Sequence, residues 1–328
     1  MTALLFVVSG VVILVAAELF TNAVEWAGFG LRMTQGATGS LLAAIGTALP
    51  ETVVPIVALA THSPSADSVA QGAVLGAPFM LMTLVVGLTG VAVLLRRGSS
   101  VLTVDASQAR RDLGAFLVAF TVALVAVVLP FGARVALGIA LLALYAGYVV
   151  ATLRGGQAAT EMPEPLHLVR WRTGPPPGSI VALQLALAVV LLVVASEIFI
   201  NALNDVASAL NVPPLTLALV VIPVATELPE ALNSLLWVRT HDDTLAFGNV
   251  AGSATFQACV LGFIGVTFTS WRPGGAGIIS GLITVATAAG LLVVMRHGRA
   301  TAAVLMAGVL PWLGYVIAQI VTGGRLGA

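Results

Sequence analysis

The sequence predicts an all-α integral membrane protein with ten transmembrane helices, arranged as two inverted five-helix repeats. Three observations predict it: charge is scarce, apolar runs of spanning length recur along the chain, and the second half repeats the first. Of the 328 residues, 59% are apolar and 9% are charged. A soluble domain carries about 25% charged residues, and this chain lacks the polar side chains to cover a surface of its size. A run of about 20 apolar residues, rising 1.5 Å per residue, crosses the hydrocarbon core. The runs are too long and too uniformly apolar for barrel strands, so helices are the spanning elements.

The spans fall near 3–22, 38–60, 69–95, 112–130, 134–153, 179–203, 214–238, 244–269, 274–295 and 300–321. The first has no basic segment before it and carries Glu18 within it, so it reads as a mature helix and not as a cleaved leader. The fourth and fifth are separated by Pro130, Gly132 and Arg134 within one long apolar stretch. Between the fifth and sixth lies a Pro- and Gly-rich linker, 154–178. It divides the chain into a first five-helix repeat, 1–153, and a second, 179–328.

Charge supports the count. Net charge is zero, and all 14 basic residues are Arg. With ten spans, eleven of them (Arg32, Arg96, Arg97, Arg110, Arg111, Arg154, Arg170, Arg172, Arg239, Arg296 and Arg299) share one side, and Arg134, Arg272 and Arg325 share the other. Basic residues accumulate on the cytoplasmic side. The expectation is a multi-pass protein of the cell membrane with both termini outside. No basic tract is long enough for nucleic acid, and the single cysteine, Cys259, cannot close a disulfide within the chain.

The repeat is readable directly. Val15-Ala16-Ala17-Glu18-Leu19-Phe20-Thr21-Asn22-Ala23 matches Val194-Ala195-Ser196-Glu197-Ile198-Phe199-Ile200-Asn201-Ala202 at an offset of 179. At the same offset Gly46-Thr47-Ala48-Leu49-Pro50-Glu51 matches Ala225-Thr226-Glu227-Leu228-Pro229-Glu230, and Thr61-His62 matches Thr240-His241. Gly72 and Gly76 then match Gly248 and Gly252 at an offset of 176. An odd number of spans per copy inverts the second copy in the membrane, and in such duplications the ion site lies at the midplane where interrupted helices meet.

Glu51, Glu230 and Glu227 are the carboxylates at that depth. A charge there is costly and is retained for a task. Each of Glu51 and Glu230 follows a Pro, which frees a backbone carbonyl about one turn earlier. Thr47 and Thr226 stand four residues before them, on the same helix face, so each half presents a Thr hydroxyl, freed carbonyls and a carboxylate toward one point. Carboxylate, hydroxyl and carbonyl oxygens together suit a hard cation. Ser253 and Gln257 lie one turn apart on the eighth span, and Gly248 and Gly252 are expected to let that helix approach its neighbours closely. The corresponding first-half residues, Ala77 and Leu81, have no ligand oxygen, which makes the site asymmetric. Glu18 and Glu197 either pair within the bundle or line an ion path. The four histidines fall in loops, and Asp242-Asp243 reads as solvated charge at a helix start. There is no phosphate loop, GxSxG or HExxH, so the expectation is a transporter and not an enzyme, with no cofactor.

Gly46–Glu51 and Ala225–Glu230 resemble the GTSLPE cores of the alpha repeats of the cation/Ca²⁺ antiporter superfamily, the sodium/calcium exchangers. Gly248-Asn249-Val250-Ala251-Gly252-Ser253 is similar to that family's GNxxGS segment. The resemblance implies ten helices and exchange of Ca²⁺ for Na⁺ or H⁺ by alternating access. It implies Glu51 and Glu230 as central ligands, Thr47 and Thr226 as hydroxyl and carbonyl ligands, and Ser253 as a flanking ligand. The cations are then substrates, and the partners are the lipid bilayer and inorganic cations. The departures are Ala48 and Glu227 at the family's Ser, Ala77 and Leu81 at its Ser and Asn, and Gln257 at its acid. The acid lost at Gln257 is matched by one gained at Glu227, and the missing oxygens favour a proton over Na⁺ as counter-ion. Monovalent cation/H⁺ exchange, or exchange of another divalent cation, is the alternative on the same fold.

Overall fold

A computed structural model describes residues 2–30, 49–60, 64–155, 163–171 and 174–327. The chain is helical almost throughout. Among the described residues, eight unbroken helices are long and apolar enough to cross a membrane, and a ninth span is broken in the middle. A shorter apolar helix, α2 (Leu49–Ala60), belongs to the second predicted span. The rest of that span, 38–48, lies outside the described residues, so the expected ten reduce here to nine spans and this short helix.

Helix α1 (Thr2–Gly30) and α6 (Gly178–Leu210) occupy equivalent places in the two repeats. At 1.5 Å per residue they extend about 43 and 50 Å, longer than the hydrocarbon core of about 30 Å, which a tilted helix accommodates. They pack along each other through Ile13, Ala16 and Phe20 against Ala188, Leu192 and Phe199, and Phe6 stacks on Phe199 at 4.6 Å. Leu4, Val8, Val11, Leu183, Val190 and Val194 face outward. That apolar exterior is what lipid requires of a spanning surface.

The centre is formed by α3 (Ala66–Leu95) and α9 (Asp243–Phe268). In their spanning windows 72% and 78% of residues are buried, against 39% or less in the other unbroken spans. Each is interrupted by one π turn, Leu81–Val85 in α3 and Gln257–Leu261 in α9. The two turns begin 176 residues apart, the offset of the glycine repeat. A π turn widens the helix by one residue and is frequently found at functional sites. The duplication has therefore kept a backbone irregularity, at the same register, in both copies.

Around this pair stand α4 (Ala106–Val128), α5 (Phe131–Gly155), α10 (Gly274–His297) and α11 (Ala302–Val321). The division of α4 from α5 falls at Leu129–Pro130, as expected from the proline. Strand β1 (Val101–Thr103) pairs antiparallel with β2 (Arg299–Thr301) and ties the end of α3 to the end of α10. The broken span comprises α7 (Pro214–Thr226) and α8 (Leu228–Arg239), whose axes differ by 48°. Helix α7 lies against α3, where Gly72 and Gly76 leave no room for a side chain. A Cβ on Gly76 would stand 2.2 Å from the carbonyl oxygen of Leu219, and one on Gly72 would stand 2.6 Å from that of Leu215.

Close helix approach thus occurs in the first repeat and not where Gly252 was expected to provide it. The nearest atom to a Cβ on Gly252 is the Tyr148 hydroxyl, at 3.6 Å. At Gly248 the neighbour is the end of the Gln108 side chain.

Each central helix begins with an Asp in its first turn, Asp67 and Asp243, again 176 apart. Each carboxylate holds the far end of the other central helix. Asp67 accepts from the Ser270 amide at 2.7 Å and from its hydroxyl at 2.6 Å. Asp243 is buried in an ion pair with Arg96 and accepts from the Thr103 amide at 2.7 Å. Its place at a helix start is as expected, but its expected solvation is corrected here: the chain end of α3 folds over it and supplies a guanidinium in place of water.

Candidate cation site

The break between α7 and α8 follows from local chemistry. Pro229 has no amide hydrogen and sits in the first turn of α8, where none is needed. The Glu227 amide closes α7 on the Pro223 carbonyl at 2.8 Å, and the Glu227 carbonyl opens α8 by accepting from the Ala231 amide at 3.0 Å. Glu227 is thus both the last cap of one helix and the first of the next, with φ −84° and ψ 0°. Glu230 lies in the first turn of α8, and Glu51 in the first turn of α2. The partial positive charge of a helix N-terminus favours a carboxylate in both places.

This geometry corrects one expectation. Thr226 and Glu230 do not share a helix face four residues apart, because Thr226 ends α7 and Glu230 begins α8. Thr226 is buried beside Glu51 from the other repeat, and its hydroxyl donates to the Ile222 carbonyl at 3.2 Å. Its predicted partner in symmetry, Thr47, lies outside the described residues.

Three carboxylates converge. Glu51, Glu227 and Glu230 are each buried, and one oxygen from each lies within 4.8 Å of the others. Oxygens bound to one Ca²⁺ at 2.3–2.6 Å are at most about 5 Å apart, so this spacing suits one such ion. No Arg or His forms a salt bridge with Glu51 or Glu227 among the described residues. Neither oxygen of Glu51 meets a hydrogen-bond donor among those residues, and nor does Oε2 of Glu227. Buried carboxylates this close repel one another in a low dielectric. A bound cation or protons must offset that repulsion.

The predicted flanking residues divide. Gln257 reaches the cluster, donating from Nε2 to Oε1 of Glu227 at 2.6 Å. Ser253 is buried one turn earlier on α9. In the first repeat Ala77 and Leu81 are buried at the equivalent places. Asn249, which follows Gly248, has a positioning role that spacing did not reveal. It donates to the Glu230 carbonyl at 3.1 Å and to the Ser234 hydroxyl at 3.0 Å, so α9 holds the first turn of α8. Its first-repeat counterpart is Ala73, and that polar-for-apolar exchange at matched positions was the available signal.

Glu18 and Glu197 stay outside the cluster. Glu18 faces outward and meets His167 of the linker at 3.0 Å. The linker is seated on α1 and α6: the Trp26 indole donates to the Glu164 carbonyl at 2.7 Å, and the Leu168 amide donates to Gln184 at 3.0 Å. Glu197 is exposed on α6. Asp112, on α4, is a buried acid that sequence reasoning passed over. Arg111 at 2.9 Å and the Tyr148 hydroxyl at 3.1 Å bind its carboxylate, in a network separate from the central three.

The family model for sodium/calcium exchanger proteins matches residues 1–154 and 180–321. The chain belongs to the sodium/calcium exchanger family. It is 33% identical over 120 residues to "Putative antiporter CaxA" of Alkalimonas amylolytica, a match covering 35% of this chain and 37% of that protein. Among solved structures, its fold is similar to that of the H⁺/Ca²⁺ exchanger CAX, with a TM-score of 0.77 at 17% identity over 98% of this chain and 82% of that one. It is also similar to the sodium-calcium exchanger NCX_Mj studied with Na⁺ and Sr²⁺, with a TM-score of 0.63 at 18% identity over 97% and 99% of the two chains. The inverted-repeat membrane fold read from the internal offsets is the fold these exchangers share.

Proposed function

We propose that this exchanger-family protein is a secondary-active antiporter that moves a divalent cation of the Ca²⁺ class against H⁺ or Na⁺ by alternating access. The observation that carries the reading is the buried trio of Glu51, Glu227 and Glu230, drawn from both inverted repeats and gathered within 4.8 Å. A centre of this kind is stable only when positive charge enters it. Two cation types that need the same oxygens cannot occupy it together, and that competition is what couples their fluxes. Thr226, Ser253, Gln257 and Thr47 complete the proposed ligand set. The first repeat contributes Ala77 and Leu81 where oxygens would extend the site toward further ions. This favours H⁺ over Na⁺ as the counter-ion. In this reading the loops rich in Arg face the cytoplasm and both termini lie outside.

The test is ⁴⁵Ca²⁺ uptake into proteoliposomes, driven separately by an outward H⁺ gradient and an outward Na⁺ gradient. Glu51→Gln is the control, expected to lower uptake by about 100-fold or more through loss of a direct ligand. Uptake with H⁺ is expected. Uptake with Na⁺ alone would keep the exchanger and replace the counter-ion. No uptake with either gradient would overturn the Ca²⁺ reading.

A further inference from the structure

Glu227 and Gln257 come from different helices, 30 residues apart in sequence, and both are fully buried. Their contact uses Nε2 of Gln257 and Oε1 of Glu227. An amide has one donor nitrogen and one acceptor oxygen. With its nitrogen engaged, Oε1 of Gln257 is left buried with no donor among the described residues, as is Oε2 of Glu227. Two buried acceptors left without donors, on side chains joined by this hydrogen bond, are costly until a positively charged guest meets them. Carboxylate and amide oxygens are both ordinary ligands of Ca²⁺. The first repeat has no equivalent pair, because Leu81 stands where the twofold would put a second Gln257.

We propose that Glu227 and Gln257 act as one ligand unit. Their carboxylate–amide pair determines cation selectivity and draws the ion off the pseudo-twofold axis toward the second repeat, through Oε2 of Glu227 and Oε1 of Gln257. The unit needs one carboxylate and one amide, and the two positions are interchangeable because Glu and Gln have the same shape. The proposal rests on the reading of this centre as a cation site.

It predicts a specific coupling. E227Q removes the charge and leaves two amides. Q257E places two carboxylates in contact with no donor between them. The double variant E227Q/Q257E restores one charge, one donor and the same set of oxygens. Purified full-length protein is tested by equilibrium ⁴⁵Ca²⁺ binding, with gel filtration and thermal melting to establish folding. Each single change is expected to weaken binding by about tenfold or more, and the swap to recover it to within about threefold of wild type. A swap no better than the weaker single variant would overturn the proposal, and so would E227Q binding like wild type.

Should Q257E not yield monodisperse protein, Q257L takes its place, since Leu81 occupies the equivalent π turn. Q257L is expected to lose about tenfold in affinity, and wild-type affinity in Q257L would overturn the pair. Absence of saturable binding in the wild type would instead refute the cation-site reading on which the pair depends.

Discussion

The two repeats keep the same backbone and differ in chemistry. Both central helices begin with an Asp in the first turn and carry a π turn at the same register. Yet the π turn opens with Leu81 in α3 and with Gln257 in α9, and Ala73 corresponds to Asn249 by the same offset. Duplication preserves the irregularity that widens each central helix, while the polar residues Asn249 and Gln257 stand in the second copy where the first has Ala73 and Leu81. The first repeat supplies close packing in exchange, through Gly72 and Gly76 against α7. The first copy packs closely on the broken span, and the second brings Gln257 to Glu227.

The two membrane ends differ in the same manner. Arg96 is buried against Asp243, whereas Arg272, 176 residues later, is exposed and Asp67 takes Ser270 in its place. Breaking a buried ion pair leaves an uncompensated charge and costs about 3–5 kcal/mol. Arg96→Ala is therefore expected to lower the unfolding midpoint in detergent further than Asp67→Ala, Gly76→Ala or Asp105→Ala. Asp67→Ala loses hydrogen bonds at a half-exposed carboxylate and should cost about 1–3 kcal/mol. Equal losses at the two ends would break the comparison.

The packing difference gives the next effect. Gly76→Ala forces a Cβ onto the Leu219 carbonyl, and overpacking of this kind costs about 1–3 kcal/mol. Gly252→Ala meets nothing nearer than 3.6 Å and should melt like wild type. A tolerant Gly76 would mean that α3 and α7 are free to separate.

The smallest effect concerns helix starts. Asp105 caps α4, accepting from the Ser107 and Gln108 amides at 2.8 and 2.7 Å, while α10 in the second repeat begins at Pro273 with no side-chain cap. The Ser107 hydroxyl, and then the Gln108 amide, hold the Asp105 carboxyl below its usual range. A lowered folded value means that the cap stabilises above the unfolded value, about pH 3.9, and fades as pH falls through the folded one. Asp105→Ala should melt slightly below wild type at neutral pH, and the gap should close in strong acid. A gap that persists there would assign the effect to something other than the carboxylate.

Much of this protein is legible in its amino-acid sequence. Span positions follow from apolar length, because a bilayer accepts only segments that satisfy their own backbone. Inversion follows from an odd number of spans per repeat. Glu51 and Glu230 stood out because a carboxylate at that depth is expensive, and Glu227 because it departs from the pattern of its own repeat. The break at Glu227 was only half visible: Pro229 signalled an interruption, but not that Thr226 and Glu230 would sit on separate helices 48° apart. The contact of Gln257 with Glu227, the burial of Asp243 under Arg96 and the seating of His167 against Glu18 join residues 30, 147 and 149 positions apart. Periodicity and spacing describe one helix at a time, whereas these contacts depend on how closely and at what angle helices cross. For Gln257 and Glu227 it is the break between α7 and α8 and the π turn opened by Gln257 that bring them together, and for Asp243 and Glu18 it is the chain segments that fold against α9 and α1.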